Sequence, residues 1–266
     1  MKQRKDIMKQ KSVLKGKLHG RYHLLDTIRG ITLISMILYH GVWDLVYMYG
    51  VKWNWYRGTG AYIWQQSICW TFILLSGFCR PLGKKPLKRG LMVFGGGLLV
   101  TIVTLLFMPQ NRVVFGVLTL TGSAMLLTVP LEKVLKKIPS QLGFFISLLC
   151  FFIFRNVNSC TLGFEGIVLT QLPKALYRGL FMTYLGFPEP GFYSTDYFSL
   201  LPWVFLFVAG FFLYYIFQEK KWLQKEVFSL NCKPFSFLGR HSLIIYLLHQ
   251  PVLYSVMTVL DVLSVL

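Results

Sequence analysis

The stretch that decides the fold is LLDTIRGITLISMILYHGVWDL, residues 24–45. It is apolar and long enough to cross a bilayer as a single α-helix of about 20 residues. It nevertheless contains four ionisable side chains, those of Asp26, Arg29, His40 and Asp44. Because ionisable groups are costly inside a membrane and usually serve a function there, we expect the chemistry of this protein to lie on this helix.

The composition extends the membrane interpretation to the whole chain. Hydrophobic residues make up 55% of the 266 residues and charged residues only 14%, which is more apolar surface than a soluble domain of this size can bury. The sequence therefore predicts an all-α, polytopic membrane helix bundle. The net charge of +18 does not indicate a nucleic-acid-binding protein, because the cations lie between apolar runs, and we expect no nucleic acid partner.

Apolar runs along the chain predict seven transmembrane helices, at about residues 28–49, 61–79, 91–108, 113–131, 142–154, 200–217 and 242–263. Lys and Arg concentrate in alternate connections, which places the N-terminus in the cytoplasm by the positive-inside rule. Residues 1–21 would then form a basic cytoplasmic arm, and residues 22–266 a single integral-membrane domain. We expect a multi-pass protein of the cytoplasmic (inner) membrane, which has the lipid bilayer as a partner.

The connection between the fifth and sixth predicted spans, residues 155–198, is unusually long. Its segments GFEGIVLTQL and KALYRGLFMTYLGF are amphipathic and too short to cross a membrane. We therefore expect interfacial or re-entrant helices that form an outer cap over the bundle. An additional pair of short spans is the alternative.

His40 is the strongest candidate for catalysis, because a neutral imidazole can accept a proton. Asp44 lies one helical turn further on the same face, where it could hydrogen-bond the other ring nitrogen and stabilise the imidazolium that forms. A purely structural alternative remains open at this point. In that alternative His40 donates to a backbone carbonyl of a neighbouring helix and Asp44 lies at the outer interface.

Arg29 lies eleven residues before His40, roughly 16 Å away along the helix axis. Asp26 is three residues before Arg29, so the two can pair on one face at the cytoplasmic boundary. Arg29 could bind an anionic group such as a phosphate through its planar guanidinium. The cationic loop from Arg80 to Arg89, which contains Lys84 and Lys85, could receive phosphates in the same way. Both features are equally explained by charges that only set the membrane topology.

His249 and Gln250 interrupt the apolar pattern of the last predicted span, and Pro251 follows them directly. A proline inside a helix produces a kink and frees a carbonyl group. Polar side chains on such a helix line a cavity more often than they face lipid. The five cysteines form no CxxC pair and no cluster with histidine, so we expect no metal. Hydrolase, NTPase and dinucleotide-binding motifs have no suitable context either.

Several motifs, taken in order, identify a family resemblance. They are LDTIRG and MILYH in the first span, then FILLSGF, RVVFGVLTLTGSAMLL, DYFSLLPW and FLGRHSLIIYLLHQP. Together they resemble the bacterial branch of the heparan-alpha-glucosaminide N-acetyltransferase catalytic-domain family of integral-membrane acyltransferases. The resemblance covers roughly residues 22–253.

The resemblance implies that acetyl-CoA enters from the cytoplasm and that its acetyl group passes to a hydroxyl or amine of a glycan-type or envelope acceptor. His40 would act as general base or acyl relay, supported by Asp44. The donor would be held by Arg29, Asp26, Lys84, Lys85 and Arg240. The substrate cavity would be lined by Ser76, Thr119, Asp196, His249 and Gln250.

Two other functions use the same residues without catalysis. One is a transporter or flippase for an anionic or sugar-linked lipid, in which the polar side chains form a pathway. The other is a structural partner in an envelope assembly. The first would show no binding of acetyl-CoA, whereas the enzyme would bind it saturably from the cytoplasmic side. A homo-oligomer is compatible with each of these functions.

Overall fold

The computed structural model describes residues 22–263, so the predicted basic arm, residues 1–21, lies outside the described residues. The described helices are α1 (His23–Tyr47), α2 (Thr59–Cys79), α3 (Pro86–Phe107), α4 (Val117–Leu135) and α5 (Ser140–Ile153). A two-stranded hairpin follows, β1 (Thr161–Phe164) and β2 (Ile167–Gln171), and then the short helix α6 (Gly179–Leu185). The chain ends in α7 (Leu200–Glu219), α8 (Lys233–Arg240) and α9 (Ser242–Val262).

The protein is a polytopic helical membrane bundle, as the composition predicts. Six helices within residues 22–263 are long and apolar enough to cross a membrane, namely α1, α3, α4, α5 with the turn after it, α7 and α9. The remaining predicted span forms α2, which has 21 residues but is less apolar than these six. Helix α2 carries Gln65, Gln66 and Ser67. It is shielded from lipid in part by its close contact with α7.

The contact between α2 and α7 depends on two glycines that face each other's helix. A Cβ on Gly77 would lie 1.9 Å from the carbonyl oxygen of Phe207, and a Cβ on Gly210 would lie 2.1 Å from that of Leu74. Only glycine permits backbones to approach this closely, which is how small residues promote helix association in membranes. The core of the bundle lies at this contact, and Phe207 is fully buried in it.

The contact between α3 and α4 repeats this reciprocal arrangement. A Cβ on Gly97 would lie 2.5 Å from Oγ1 of Thr119, and a Cβ on Gly122 would lie 2.4 Å from the backbone nitrogen of Phe94. Gly95, two residues before Gly97, has no atom within 4 Å of such a Cβ. Among the three consecutive glycines of α3, residues 95–97, Gly97 therefore makes the closest approach to a neighbouring helix.

The basic connections of the chain lie at one end of the bundle. Arg80, after α2, forms an ion pair with Glu132 near the end of α4, and Lys136 pairs with the same carboxylate at 2.6 Å. The Ser140 hydroxyl at the start of α5 donates to Glu219 at the end of α7 at 2.7 Å. Because cation-rich connections favour the cytoplasmic face, we expect this end of the bundle to face the cytoplasm. We refer to it as the basic end.

The predicted helical cap is wrong for its first half. Segment GFEGIVLTQL forms the antiparallel hairpin of β1 and β2, with Phe164 paired to Ile167 across the turn. Residues 155–198 contain one short α-helix, α6, and two single 3₁₀ turns, and the alternative of two more spans is not found there either. The reason is local. The β-branched residues Ile167, Val168 and Thr170 favour a strand, and Glu165, with a φ of 50°, turns the chain tightly before them.

The hairpin is fixed to the end of α2 opposite the basic end. Nη2 of Arg155 donates to the side-chain oxygen of Gln66 at 2.9 Å, and its Nε lies 3.3 Å from Glu165 Oε1. The hydroxyl of Tyr62 donates to the same carboxylate at 2.6 Å. These contacts close the outer end of the bundle.

Candidate active site

A cavity of about 250 Å³ opens at the basic end of the bundle, between helices α1, α2, α3, α4, α8 and α9. Four arginines contribute to its wall, Arg29, Arg80, Arg89 and Arg240. The wall deeper inside is largely apolar and includes Phe72, Met92, Val93, Leu118, Met125 and Leu243. A cavity with a cationic mouth and an apolar interior suits an elongated ligand that has an anionic end.

Arg29 is placed at the cavity by the first two turns of α1. Its Nη1 lies 3.7 Å from Oδ1 of Asp26, the residue three positions earlier, and its side chain is only 15% exposed. Asp26 is buried and does not itself line the cavity. Glycines bring α1 and α8 together here, since a Cβ on Gly239 would lie 1.9 Å from the carbonyl oxygen of Asp26. This contact brings Arg240 of α8 to the same mouth as Arg29.

The other two arginines differ from each other. Arg80 is buried, and its guanidinium donates to Glu132 and to the hydroxyl and carbonyl oxygens of Thr128. It therefore joins α2 to α4 and has little capacity left for a ligand. Arg89, in the first turn of α3, is exposed at the mouth. Arg89 is therefore better placed than Arg80 to contact a ligand.

Lys84 and Lys85 do not line the cavity. Both are exposed, and they lie between two residues that do line it, Gly83 and Pro86. Ser76 lines the cavity as expected, and its hydroxyl donates to the carbonyl oxygen of Phe72 at 2.7 Å.

Tyr246 lies where the cavity meets the polar residues of the bundle interior. Its ring lines the cavity, and its hydroxyl donates to Oδ2 of Asp196 at 3.4 Å. The same carboxylate oxygen accepts the backbone N–H of Val117 at the start of α4, at 3.5 Å. Burial raises the pKa of Asp196 to about 6, although these two hydrogen bonds act in the opposite direction. Asp196 thus belongs to the site through Tyr246 and does not line the cavity directly.

The imidazoles of His40 and His249 meet beyond Tyr246, with ring centroids 5.0 Å apart and an angle of 58° between their planes. Nδ1 of His249 is hydrogen-bonded to the carbonyl oxygen of Tyr246 at 2.5 Å. The side chain of His249 is 8% exposed, and its Nε2 is buried without a hydrogen-bond partner among the described residues. The two residues that the sequence places on separate spans are therefore neighbours.

Asp44 has a different partner from the one that the sequence predicts. Its Oδ1 accepts the side-chain amide of Gln250 at 3.1 Å, and no hydrogen bond joins it to His40 within residues 22–263. The side chain of Asp44 is 1% exposed. The one-turn spacing from His40 indicates a shared helix face, but α9 packs against that face and supplies a closer donor.

Three buried polar atoms of this region are unpaired among the described residues, Asp44 Oδ2, Gln250 Oε1 and His249 Nε2. Each of them is a hydrogen-bond acceptor. The amide of Gln250 turns its NH₂ toward the carboxylate, which leaves its oxygen without a donor. Nδ1 of His249 faces a carbonyl oxygen and must carry the proton, which leaves a lone pair on Nε2. Buried acceptors without donors favour a bound molecule that supplies O–H or N–H groups.

Thr119 is not brought into the site. It is buried in the contact with Gly97, and its hydroxyl has no hydrogen-bond partner among the described residues. The polar residue of α4 that lines the cavity is Thr121.

Two residues of the site do not follow from the sequence alone, namely Thr121 and Tyr246, whereas Arg89 belongs to the cationic loop that the sequence singles out. Tyr246 carries a usable signal, because it precedes His249 by three residues and so shares its helix face. Thr121 carries no such signal, because it is a hydroxyl residue in an ordinary apolar span.

Residues 22–263 contain no group of three or more His, Cys, Asp or Glu side chains that could hold a metal ion.

Comparisons with known proteins give one match. The family model described as "Heparan-alpha-glucosaminide N-acetyltransferase, catalytic" matches residues 21–251, which is most of the chain. No curated protein and no solved structure matches it. The match includes every helix from α1 to α8 and the half of α9 that carries Tyr246, His249 and Gln250.

Proposed function

The chain belongs to the heparan-alpha-glucosaminide N-acetyltransferase catalytic family, and we propose that it is an acetyl-CoA-dependent acyltransferase of the cytoplasmic membrane. Its acceptor is a hydroxyl or amine of a glycan-type or envelope molecule. The observation that carries this proposal is the position of Tyr246, which both lines the arginine-bordered cavity and contacts His249 beside His40.

The donor binds with its phosphates at the mouth of the cavity. Guanidinium groups bind phosphate through paired, charge-assisted hydrogen bonds, and Arg29, Arg89 and Arg240 are the arginines available there. Asp26 orients Arg29 from one helical turn away. Lys84 and Lys85, exposed beside the mouth, add positive potential that attracts the anionic donor.

The size of the cavity limits how much of the donor it encloses. A volume of about 250 Å³ is below the range of roughly 300–1,000 Å³ that is typical of pockets enclosing a drug-sized ligand. The apolar interior therefore suits the pantetheine arm and its thioester, while the nucleotide stays among the arginines. Ser76 and Thr121, which also line the cavity, supply hydroxyl groups to the amides of that arm.

The substrate that receives the acetyl group binds beyond Tyr246, next to the buried hydrogen-bond acceptor atoms that lack a donor within residues 22–263. Asp44 Oδ2 and Gln250 Oε1 are buried and lack donors among the described residues, so they suit the hydroxyl or amine groups of a sugar. His40 removes the proton of the attacking group as general base. The acceptor oxygen or nitrogen bonds to the carbonyl carbon of the thioester, the carbon–sulfur bond breaks, and CoA leaves.

A titration tests donor binding. Purified protein in nanodiscs is titrated calorimetrically with acetyl-CoA and, for comparison, with CoA. Loss of a charged hydrogen bond costs about 1.5–3 kcal/mol, so Arg29→Ala should weaken acetyl-CoA binding by about 10- to 100-fold. The control is Arg57→Ala, which removes an exposed arginine that packs on the ring of Tyr47, away from the basic end.

The titration can contradict the proposal in two ways. Absence of acetyl-CoA binding by the natural chain would favour a transporter without catalysis. If Arg29→Ala, Arg240→Ala and Arg57→Ala bind acetyl-CoA with equal affinity, the arginines at the mouth of the cavity only help to set the membrane topology.

A kinetic measurement tests the base. With glucosamine as acceptor probe and CoA release as readout, His40→Ala should lower kcat by about 10²- to 10⁴-fold, the usual contribution of a general base. Its affinity for acetyl-CoA should not change, because His40 does not line the donor cavity. His241→Ala, which removes an exposed histidine at the start of α9, should keep normal turnover. Full activity of His40→Ala would exclude His40 as the base.

A further inference from the structure

The two histidines at the reaction centre come from neighbouring helices and differ in their surroundings. His40 on α1 is partly buried, whereas His249 on α9 is 8% exposed and therefore more than nine-tenths buried. Their ring centroids are 5.0 Å apart. Imidazole rings at this separation are direct neighbours, close enough for a hydrogen bond between one nitrogen of each ring.

The backbone of α9 determines which nitrogen of His249 carries the proton. A carbonyl oxygen can only accept a hydrogen bond, so the contact between Nδ1 of His249 and the carbonyl of Tyr246 requires a proton on Nδ1. Nε2 of the neutral ring then has a lone pair. That atom is buried and has no partner in the described part of the chain.

Tyr246 is itself held in place, which strengthens this assignment. Its hydroxyl donates to the carboxylate of Asp196, and that carboxylate also accepts the N–H of Val117 at the start of α4. The helix turn that presents its carbonyl to His249 is therefore anchored to α4 through a side chain. The orientation of the His249 ring follows from that anchor.

Asp44 does not compete for the ring of His40. Its Oδ1 accepts the side-chain amide of Gln250, and no hydrogen bond joins its Oδ2 to His40 among residues 22–263. The ring of His249, which also carries an unpaired acceptor in Nε2, is the one in contact with the ring of His40.

We propose that His249 is the positioning residue of His40. Its Nε2 accepts the N–H of His40, which fixes the tautomer of His40 and leaves the other ring nitrogen without a proton, directed at the acceptor substrate. This inference rests on the proposed function, and it assigns to His249 the orienting role that the sequence suggests for Asp44.

The proton balance of the step follows from this arrangement. The attacking hydroxyl or amine gives its proton to the unprotonated nitrogen of His40 as its oxygen or nitrogen bonds to the thioester carbon. The imidazolium of His40 then carries two N–H groups, one of which donates to Nε2 of His249 and is strengthened by the charge. The carbon–sulfur bond breaks, the CoA sulfur takes the transferred proton from His40, and the pair returns to its initial state.

The first test observes the histidines directly and needs no acceptor. The protein is labelled with ¹⁵N-histidine and reconstituted in nanodiscs, and NMR distinguishes protonated from unprotonated ring nitrogens. We expect His249 to show a proton on Nδ1, and its Nε2 signal to shift when His40→Ala removes the donor. His241, whose Nδ1 contacts the carbonyl of Phe237, is the internal reference and should not shift. An unchanged Nε2 signal of His249 would overturn the inference.

The second test separates positioning from folding. With glucosamine as acceptor probe, His249→Ala should lower kcat by about 10- to 100-fold, the usual effect of removing an orienting partner, and leave the KM for acetyl-CoA within about twofold. His249→Gln, which keeps an acceptor oxygen, should recover a large part of kcat. The double variant with His40→Ala should be no slower than His40→Ala alone, because the two residues act as a unit.

The outcomes distinguish this inference from the proposed function. Normal kcat in His249→Ala, or equal losses in the alanine and glutamine variants, would overturn the positioning role and leave His40 as base. Full activity of His40→Ala would instead contradict the proposed mechanism. If His249→Ala does not fold, the glutamine variant and the NMR signal still decide.

Discussion

Asp196 is a carboxyl group whose ionisation depends on its surroundings. It lies before α7, outside the membrane spans, and burial raises its pKa from an ordinary value of 3.8 to about 6. A carboxyl group with a raised pKa favours the folded state below its ordinary value, and this contribution is lost as pH rises through the folded value. Its single hydrogen-bond partner on α9, Tyr246, links this titration to the candidate site.

The stability of the protein should therefore fall between pH 4 and pH 7 through Asp196. The raised pKa of Asp196 corresponds to a decrease in the free energy of unfolding of about 2–3 kcal/mol at most over this interval. Asp196→Asn cannot ionise, so its melting temperature should change less over this interval than that of the natural chain. Thermal unfolding in one detergent at both pH values measures the difference. Glu226→Gln, at an exposed carboxyl, is the control, and equal pH dependence in all three proteins would contradict the assignment.

Single residues of the site are predictable from sequence where their chemistry conflicts with their surroundings. Arg29, His40 and His249 interrupt apolar runs, and the structure places all three at or beside the cavity. Tyr246 is compatible with an apolar helix, so only its contacts reveal it. Pairings between helices are also beyond a single sequence, which is why Gln250, and not His40, is found to hold Asp44.

At the scale of helices, the bundle is held by pairs of glycines that face each other's helix. This arrangement occurs between α2 and α7, between α3 and α4, and between α1 and α8. The last contact is the one that positions Arg240 next to Arg29. Close helix contact in membranes depends on small residues because lipid offers no hydrophobic driving force between helices.

Gly77→Ala should destabilise the contact between α2 and α7. The added Cβ would lie 1.9 Å from the carbonyl oxygen of Phe207, so the backbones must separate at a cost of about 1–3 kcal/mol or more. The melting temperature and the yield of folded protein in detergent measure this loss. Gly95→Ala, also in a long helix but with nothing within 4 Å of the added Cβ, should be neutral. Equal behaviour of the two variants would show that the close approach does not matter.

Helices and strands were predictable to different degrees. The long helices follow from apolar runs of membrane length, and each of them begins and ends within a few residues of the predicted span. The hairpin was not predicted, because its two strands have only four and five residues and their amphipathic pattern also fits a short interfacial helix. The hairpin is fixed on α2 because Arg155 contacts both Glu165 at the turn of the hairpin and Gln66 of α2, which is distant from it in sequence.

For the whole molecule, the distribution of charge gives the bundle a direction. The ion pairs of Arg80 and Lys136 with Glu132 lie at the basic end, whereas the hairpin lies at the other end. Because cations accumulate on the cytoplasmic side of membrane proteins, we expect the cavity to open toward the cytoplasm, where the proposed donor acetyl-CoA would reach it.

Labelling of single cysteines tests this orientation. In a chain without its natural cysteines, Gly166→Cys at the tip of the hairpin should react with a membrane-impermeant maleimide on intact cells. Gly166 has no atom within 4 Å of an added Cβ, so the substitution should be tolerated. Lys84→Cys, in the exposed loop of the basic end, should react only after the membrane is permeabilised. The reverse pattern would invert the topology and place the cavity on the wrong side for the donor.

Helix α9 carries part of the candidate site but packs over only a small part of its surface against the rest of the protein. Only 11% of the span of α9 is buried inside the protein, yet this helix carries both His249 and Gln250. Side-chain hydrogen bonds join it to Asp44 of α1 at Gln250 and to Tyr49, just after α1, at Thr258. Most of its surface is therefore supported by acyl chains. Hydrophobic mismatch with a thinner bilayer is relieved by changes in helix tilt, so we expect the spacing of the two imidazoles, and with it the activity, to depend on the thickness of the bilayer around α9.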